Sequence, residues 1–343
     1  MSKVLIIHAG GTIGMTKGKR GLRPTRGAAN DVFVRLIEES SHTLKPMPHV
    51  TVEELPTPID SANATPDDWN VIAHKISEHY DDFDGFVVTH GTDTMAHTAS
   101  ALSFLLQFQR KPVVLTGAQI PISDPRSDGR CNLSASVHIA GTNPSVDQVL
   151  ICFGSKILRG NRATKVSSSH FDAFASPMVP ETGHVGIRVK MEKSAKKSQV
   201  RPQKKFSAHQ PSKKPTIGCL RLFPGINVNF MQKTIESGVD GLIIEAYGSG
   251  TAPDKNKELL RAIRNGVENG VRIMAVTQPL YGAANLGSYA ASSALKDCGV
   301  VDGRDITTEA ATTKMYYLLS MDMNEKTVNR NLNQSIRGEV TID

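Results

Sequence analysis

Four cysteines in 343 residues are too few for a disulfide scaffold. Cys131, Cys152, Cys219 and Cys298 form no C-x-x-C pair and no Cys/His spacing of the zinc type. Free and mostly buried thiols in a reducing compartment are therefore expected, with no metal. No apolar run approaches the ~20 residues of a membrane helix. Val4-Leu5-Ile6-Ile7 is too short for the apolar core of a secretory leader and runs straight into His8 and a glycine pair. A cytoplasmic protein without a membrane partner is the expectation. Phosphate-binding loops are missing as well. Thr12 stands two residues after Gly10 and breaks G-x-G-x-x-G, while Gly18-Lys19 is followed by Arg20 and breaks the P-loop pattern. No G-x-S-x-G elbow marks a serine hydrolase.

A basic surplus is present, but it is local. Lys and Arg total 40 against 33 acids, a net charge of +7. Between Lys190 and Lys214 eight lysines and Arg201 face a single acid, Glu192, so this one stretch carries +8 and the remainder is close to neutral. With Pro202, Pro211 and Pro215 and little apolar content, residues 190–214 read as a solvated interdomain linker, and no nucleic-acid partner is expected. At 39% hydrophobic residues the chain can bury a substantial core, and its length favours two domains. The boundaries expected are 1–189, the linker 190–214, and 215–343.

Apolar runs of strand length alternate with helix-length segments on both sides of the linker. Strands are expected at Lys3–His8, Val50–Leu55, Gly85–Thr89, Pro112–Thr116 and Gln148–Phe153, the last closing the first half. Ile217–Leu222, Gly241–Ala246 and Arg272–Thr277 follow in the second. Helices are expected at Asp31–Glu39, at Thr94–Gln107 and at Pro66–His79, the last with Thr65 as its cap and Pro66 at its first position. This cadence predicts an α/β fold: a larger N-terminal domain with a mostly parallel, doubly wound sheet, and a smaller C-terminal α/β domain.

In open α/β sheets, ligands bind beyond the carboxyl ends of the strands. Those ends carry Gly10-Gly11-Thr12-Ile13-Gly14, Asp60-Ser61, His90-Gly91-Thr92-Asp93 and Thr116-Gly117-Ala118-Gln119. A threonine on a glycine-flanked turn can serve as a nucleophile if a base lies beside it. His90 and Lys165 are the candidate bases. A histidine at a strand end also serves as a packing residue, and a lysine also serves as a solvated surface group. The pattern by itself points to a hydroxyl-nucleophile hydrolase.

These residues, together with Thr94-Met95, Arg126-Ser127-Asp128-Gly129, Gly160-Asn161-Arg162-Ala163-Thr164-Lys165, Phe171-Asp172-Ala173-Phe174-Ala175-Ser176-Pro177 and Tyr247-Gly248-Ser249-Gly250, resemble the bacterial-type L-asparaginases, most nearly their cytoplasmic type I branch. The resemblance runs over nearly the full length in the family's order. It implies hydrolysis of the side-chain amide of L-asparagine to L-aspartate and ammonia, without a cofactor; the preference between L-asparagine and L-glutamine stays open. It implies a homodimer or homotetramer, with sites formed between neighbouring subunits. Carried onto this chain, it makes Thr12 the nucleophile, Thr92, Asp93 and Lys165 a second catalytic group, and Asp60 and Ser61 the grip on the substrate's amino and carboxylate groups. Gly11, Gly91 and Ala118 complete the substrate pocket.

Three departures stand out. Leu22 lies where active relatives carry a loop tyrosine, Thr251 replaces the asparagine of Y-G-x-G-N, and the linker is rich in lysine. They motivate two alternatives: an asparagine-binding homologue with weakened chemistry, and the amidase subunit of a tRNA-dependent amidotransferase.

Overall fold

Every residue from Val4 to Gly10 is buried, as are all of Gly85–Thr89, Val113–Thr116 and Val149–Phe153. Strand side chains alternate between faces, so unbroken burial means a sheet covered on both sides. The computed structural model describes all residues but 19, 20, 25, 26, 28, 29, 43, 193–204 and 343. It divides the chain into two units, Met1–Gln210 and Pro211–Asp343.

The first unit begins with β1 (Lys3–Gly10), a hairpin of β2 (Met15–Gly18) and β3 (Gly21–Pro24), α1 (Asn30–Ser40), β4 (His49–Ile59) and α2 (Pro66–Glu78). It continues with β5 (Gly85–Thr89), α3 (Met95–Leu105), β6 (Leu106–Gln107), β7 (Val113–Thr116), α4 (Gly129–Thr142), β8 (Val149–Phe153) and β9 (Lys156–Arg159). The short strands β10 (Thr164–Lys165), β11 (Phe174–Ala175), β12 (Gly183–Val185), β13 (Val189–Met191) and β14 (Ser207–Ala208) complete it. Eight strands form the main sheet in the order β13-β12-β9-β8-β7-β5-β1-β4.

From β4 to β8 all pairings are parallel. On one face Val4, Ile6, Val87, Val114 and Leu150 pack with Phe33, Leu36 and Ile37 of α1 and with Leu133, Val137 and Ile139 of α4. Helix α2 meets β1, and α3 meets β7 and β8. Helix α2 starts where its residues dictate: Pro66 fits the first turn, and Asp68 Oδ2 accepts from Thr65 N at 2.7 Å.

The sheet does not close at β8. Gly154, at φ +60°, and Ser155 turn the chain back, and β9, β12 and β13 add antiparallel strands. Nor does β4 stop at Leu55. It runs through Pro56 and Pro58 to Ile59, which an edge strand tolerates because one side of its backbone needs no ladder donor. Of the basic stretch 190–214, residues 193–204 lie outside the described residues. Before them Lys190 and Met191 belong to β13, and after them β14 pairs with β6 while Phe206 stacks on Tyr80.

The second unit holds β15 (Ile217–Arg221), α5 (Val228–Glu236), β16 (Gly241–Ala246), α6 (Lys257–Glu268), β17 (Arg272–Thr277), α7 (Ala290–Asp297), β18 (Val301–Asp302), α8 (Thr308–Ser320) and α9 (Glu325–Leu332). Its four strands are parallel in chain order, one more than the three expected, because β18 is only two residues long. Leu242, Ile244, Ile273 and Ala275 form its core with Met231, Leu259, Ile263 and Leu295. All four cysteines are free, but only Cys152 and Cys298 are buried. Cys131 is exposed in the first turn of α4 and Cys219 on the edge strand β15, which corrects the expectation of mostly buried thiols.

Candidate active site

The carboxyl ends of β1, β4 and β5 converge through glycines. Gly10 (φ +128°) passes so close to β4 that a Cβ there would lie 2.3 Å from the Ile59 carbonyl oxygen. A Cβ on Gly11 (φ +86°, ψ 171°) would sit 2.4 Å from Gly91 N and 2.6 Å from His90 O. One on Gly91 would sit 2.3 Å from Ser61 Oγ. Two of these approaches are backbone to backbone and the third is backbone to the Ser61 side chain, and together they bring Thr12, Ser61 and Thr92 to one edge of the first unit. Gly11 occupies a region of backbone space essentially reserved for glycine. Gly11→Ala is expected to destabilise the fold by about 1–3 kcal/mol, read by urea unfolding; a cost below about 0.5 kcal/mol would mean that the turns can separate freely.

Thr12 opens a single 3₁₀ turn, Thr12–Gly14, and is half-buried. Thr92 is buried, and Lys165 reaches it from β10, which is held against Phe174 of β11. The Lys165 ammonium nitrogen lies 2.9 Å from Thr92 Oγ1 and 2.7 Å from Asp93 Oδ1. Asp93 is largely exposed, so its pairing with Lys165 contributes orientation more than stability. Asp60 caps the turn Ser61–Asn63 by accepting from Ala62 N at 3.3 Å and Asn63 Nδ2 at 3.1 Å. Its exposed carboxylate and the buried Ser61 stand on the same rim. The Ser61 carbonyl accepts from Thr94 Oγ1 at 2.8 Å, which ties this turn to the start of α3.

His90 is not a base. Its ring is buried; Nδ1–H donates to the Gly91 carbonyl at 2.8 Å, and Nε2 accepts from Thr98 Oγ1 at 3.0 Å. Burial pushes its pKa down, against the opposing pull of the Gly91 hydrogen bond and of Asp68, and the neutral ring has no nitrogen to spare for a substrate proton. Of the two candidate bases, only Lys165 touches a threonine hydroxyl at the sheet edge, that of Thr92; the hydroxyl His90 touches is that of Thr98, inside α3.

Ala118 is buried in a loop that Asp128 fastens, its carboxylate accepting from Gln119 N and Ile120 N at 3.0–3.1 Å. Asn132 Nδ2 donates to the Gly117 carbonyl at 3.0 Å, and Asn132 Oδ1 accepts from Gly154 N at 3.0 Å. Asp128 is visible in the sequence only as part of a motif, and Asn132 lies beyond it. Their signal is the spacing of four that sets Asn132, in the first turn of α4, over Asp128 just before the helix, with Asn132 Nδ2 donating to Asp128 Oδ2 at 3.2 Å.

The sequence model of the N-terminal asparaginase domain matches residues 3–197, and that of the glutaminase/asparaginase C-terminal domain matches residues 216–332. The chain belongs to the asparaginase family.

Among its relatives, L-asparaginase 1 of Escherichia coli strain K12 is 38% identical over 340 residues, spanning 99% of this chain and 98% of its own. The crystal structure of L-asparaginase I from Vibrio cholerae matches at a TM-score of 0.88 with 37% identity, covering 99% of both chains. A component of the glutamyl-tRNA(Gln) amidotransferase of Pyrococcus abyssi is 30% identical over 82% of this chain but 65% of its own length.

Within this asparaginase-family chain, Leu22 takes its backbone place in the β2–β3 hairpin opposite Lys17. Thr251 closes a tight turn after β16, exchanging backbone hydrogen bonds of 3.0 Å with Tyr247 over Gly248 (φ +22°) and Gly250 (φ +81°). Among the described residues no helix is long and apolar enough to cross a membrane, and no group of three or more His, Cys, Asp or Glu could hold a metal ion.

Proposed function

We propose that the protein is an L-asparaginase that converts L-asparagine and water to L-aspartate and ammonia through a threonine ester. The observation that carries this reading is the Lys165–Thr92–Asp93 contact, at 2.9 and 2.7 Å, on the same sheet edge as the glycine turn of Thr12. Asp60, Ser61 and Asp93 hold the charged head of the amino acid, which places the amide carbon at Thr12 Oγ1; such positioning contributes up to about 7–11 kcal/mol in ideal cases.

Thr12 Oγ1 bonds to the amide carbon and gives up its proton, and the carbonyl electrons move to oxygen. Collapse of that intermediate expels the amide nitrogen, which leaves as ammonia after taking up a proton. Water then adds to the ester and releases aspartate and the Thr12 hydroxyl. The proton from Thr12 is taken up by the Thr92–Lys165–Asp93 group, in which Lys165 tunes the Thr92 hydroxyl, and is delivered to the departing amide nitrogen. The backbone N–H groups of the Gly91 turn face the developing oxyanion. L-Glutamine is the competing substrate, and the active form is a homodimer or homotetramer in which Thr251 stands in place of the asparagine expected to reach the neighbour's substrate.

Ammonia release from L-asparagine and L-glutamine by the purified protein tests the reading. No release, with L-asparagine still raising the melting temperature, would establish a binding homologue instead. Leu22 supplies no hydroxyl to a nucleophile. Leu22→Tyr is therefore expected to raise kcat about five- to tenfold, the worth of one added hydrogen bond of about 1 kcal/mol; an unchanged kcat would show that Leu22 is not what limits turnover.

A further inference from the structure

Histidine is an unusual occupant for a buried position in a strand of Val, Leu and Ile, and burying its polar ring is costly unless the ring is used. His8 is 3% exposed, four residues before Thr12 on β1. Its Nδ1 lies 2.6 Å from Thr89 Oγ1, and Thr89 ends β5 three residues before Thr92. On its other side the ring supports the Thr12 turn. A Cβ on Gly14, the last residue of that turn, would be 2.5 Å from both Cε1 and Nε2 of His8. Phe33 of α1 closes the third side, edge-on at a centroid distance of 5.4 Å. One imidazole is thus in contact with the Thr12 turn and with the last residue of the strand that leads to Thr92.

We propose that His8 is a positioning residue for the amide hydrolysis, setting the relative placement of Thr12 and Thr92 from beneath. The inference rests on the proposed asparaginase reaction. Hydrogen bonding fixes the ring through Thr89, and the ring face then fixes how low the Gly11–Gly14 turn can settle. A smaller side chain leaves both turns folded and touching, because the glycine contacts that bring them together do not involve His8, but it removes the support that sets the height of the Thr12 turn. The loss is therefore expected in kcat and not in KM, since Asp60, Ser61 and Asp93, which hold the substrate's charged head, are untouched.

The same placement ties the reaction to pH. Burial lowers the pKa of His8, and the Glu54 carboxylate, its register partner on β4, works in the opposite direction. Glu54 is the charged group acting on the ring; Thr89 of β5, Gly14 of the turn and Phe33 of α1 are uncharged. Protonation would put a charge beneath the Thr12 turn, so kcat is expected to fall as pH drops through the value of His8, below the ordinary histidine range.

The test is kcat and KM for ammonia release from L-asparagine against pH, with melting temperatures alongside, for wild type, His8→Ala, His8→Gln and Glu54→Gln. His8→Ala is expected to lower kcat about 10- to 100-fold, the scale of a ~1 Å misplacement, with KM within threefold. His8→Gln, which keeps a polar group toward Thr89, is expected to recover most of kcat and to lose the acid limb. Glu54→Gln removes the charge that favours imidazolium and is expected to move the acid limb to lower pH. If His8→Ala does not fold, these last two profiles decide. An active wild type whose acid limb is unchanged in both, or whose kcat survives His8→Ala, overturns the inference alone. A wild type that releases no ammonia overturns the asparaginase reading and the inference with it.

Discussion

Thr12→Ala is expected to reduce ammonia release from L-asparagine by at least about 10³-fold, the scale of removing a nucleophile that acts as part of a unit. Binding should survive, because the groups that hold the amino acid, Asp60, Ser61 and Asp93, lie on other turns. L-Asparagine should therefore raise the melting temperatures of the variant and of the wild type alike. Lys165→Met is expected to cost a comparable factor by leaving Thr92 without the amine now 2.9 Å from its hydroxyl. The double variant should lose little more than either single one, since two members of one proton-transfer unit cannot each be lost independently. Ammonia assays on the four proteins check this. Additive losses would show that Thr12 and Lys165 serve separate steps, and full activity of Thr12→Ala would move the nucleophile to Thr92.

How far such a site can be read from the sequence depends on how local its signals are. The central strands are legible because burial on both faces writes an unbroken apolar run, and the residues after each run are by construction those at the sheet edge. The glycines are legible for a related reason, since Gly10 and Gly11 adopt positive φ that other residues avoid. The hairpin Met15–Pro24 reads as a polar loop, because neither of its strands shows an apolar alternation. The antiparallel strands Lys156–Arg159 and Gly183–Val185 are hidden because they are short, and the first carries a charge at each end. Lys165 and Thr92 are 73 residues apart, and no local pattern predicts their contact; only the family resemblance points there. His8 is hidden as well, because a single histidine in an apolar strand carries no periodic signal. Its meaning lies in Thr89, 81 residues away.

The largest stability effect is expected away from the site, at a pair that sequence patterning also hides. Lys314 on α8 and Glu339 near the C-terminus are both completely buried, 2.8 Å apart. The ammonium also donates to the carbonyls of Gln334 at 2.6 Å and Leu332 at 3.3 Å, while the carboxylate accepts from Ile336 N at 3.0 Å and Arg337 N at 2.7 Å. Each charge has its full set of partners, and together they fasten the segment after α9 to α8. Lys314→Met removes one charge and leaves the other buried, at an expected cost of about 3–5 kcal/mol. Lys314→Met with Glu339→Gln should recover at least half of that, because the amide still accepts from Ile336 and Arg337 and no net charge remains inside.

The sign of the pH dependence is fixed as well. Burial opposes ionisation of Glu339, but Lys314 and the two backbone N–H groups outweigh it and hold its carboxyl below the ordinary value. The stabilisation is then complete at neutral pH and is lost as pH falls through that depressed value. In Lys314→Met the lysine is gone, burial dominates, and protonation of Glu339 relieves the variant. The difference in unfolding free energy between wild type and Lys314→Met should therefore shrink from pH 7 to pH 4, measured by urea unfolding of the full chain. A difference that grew on acidification would mean that Glu339 is held neutral in the native fold, and the buried contact would then be a hydrogen bond and not an ion pair.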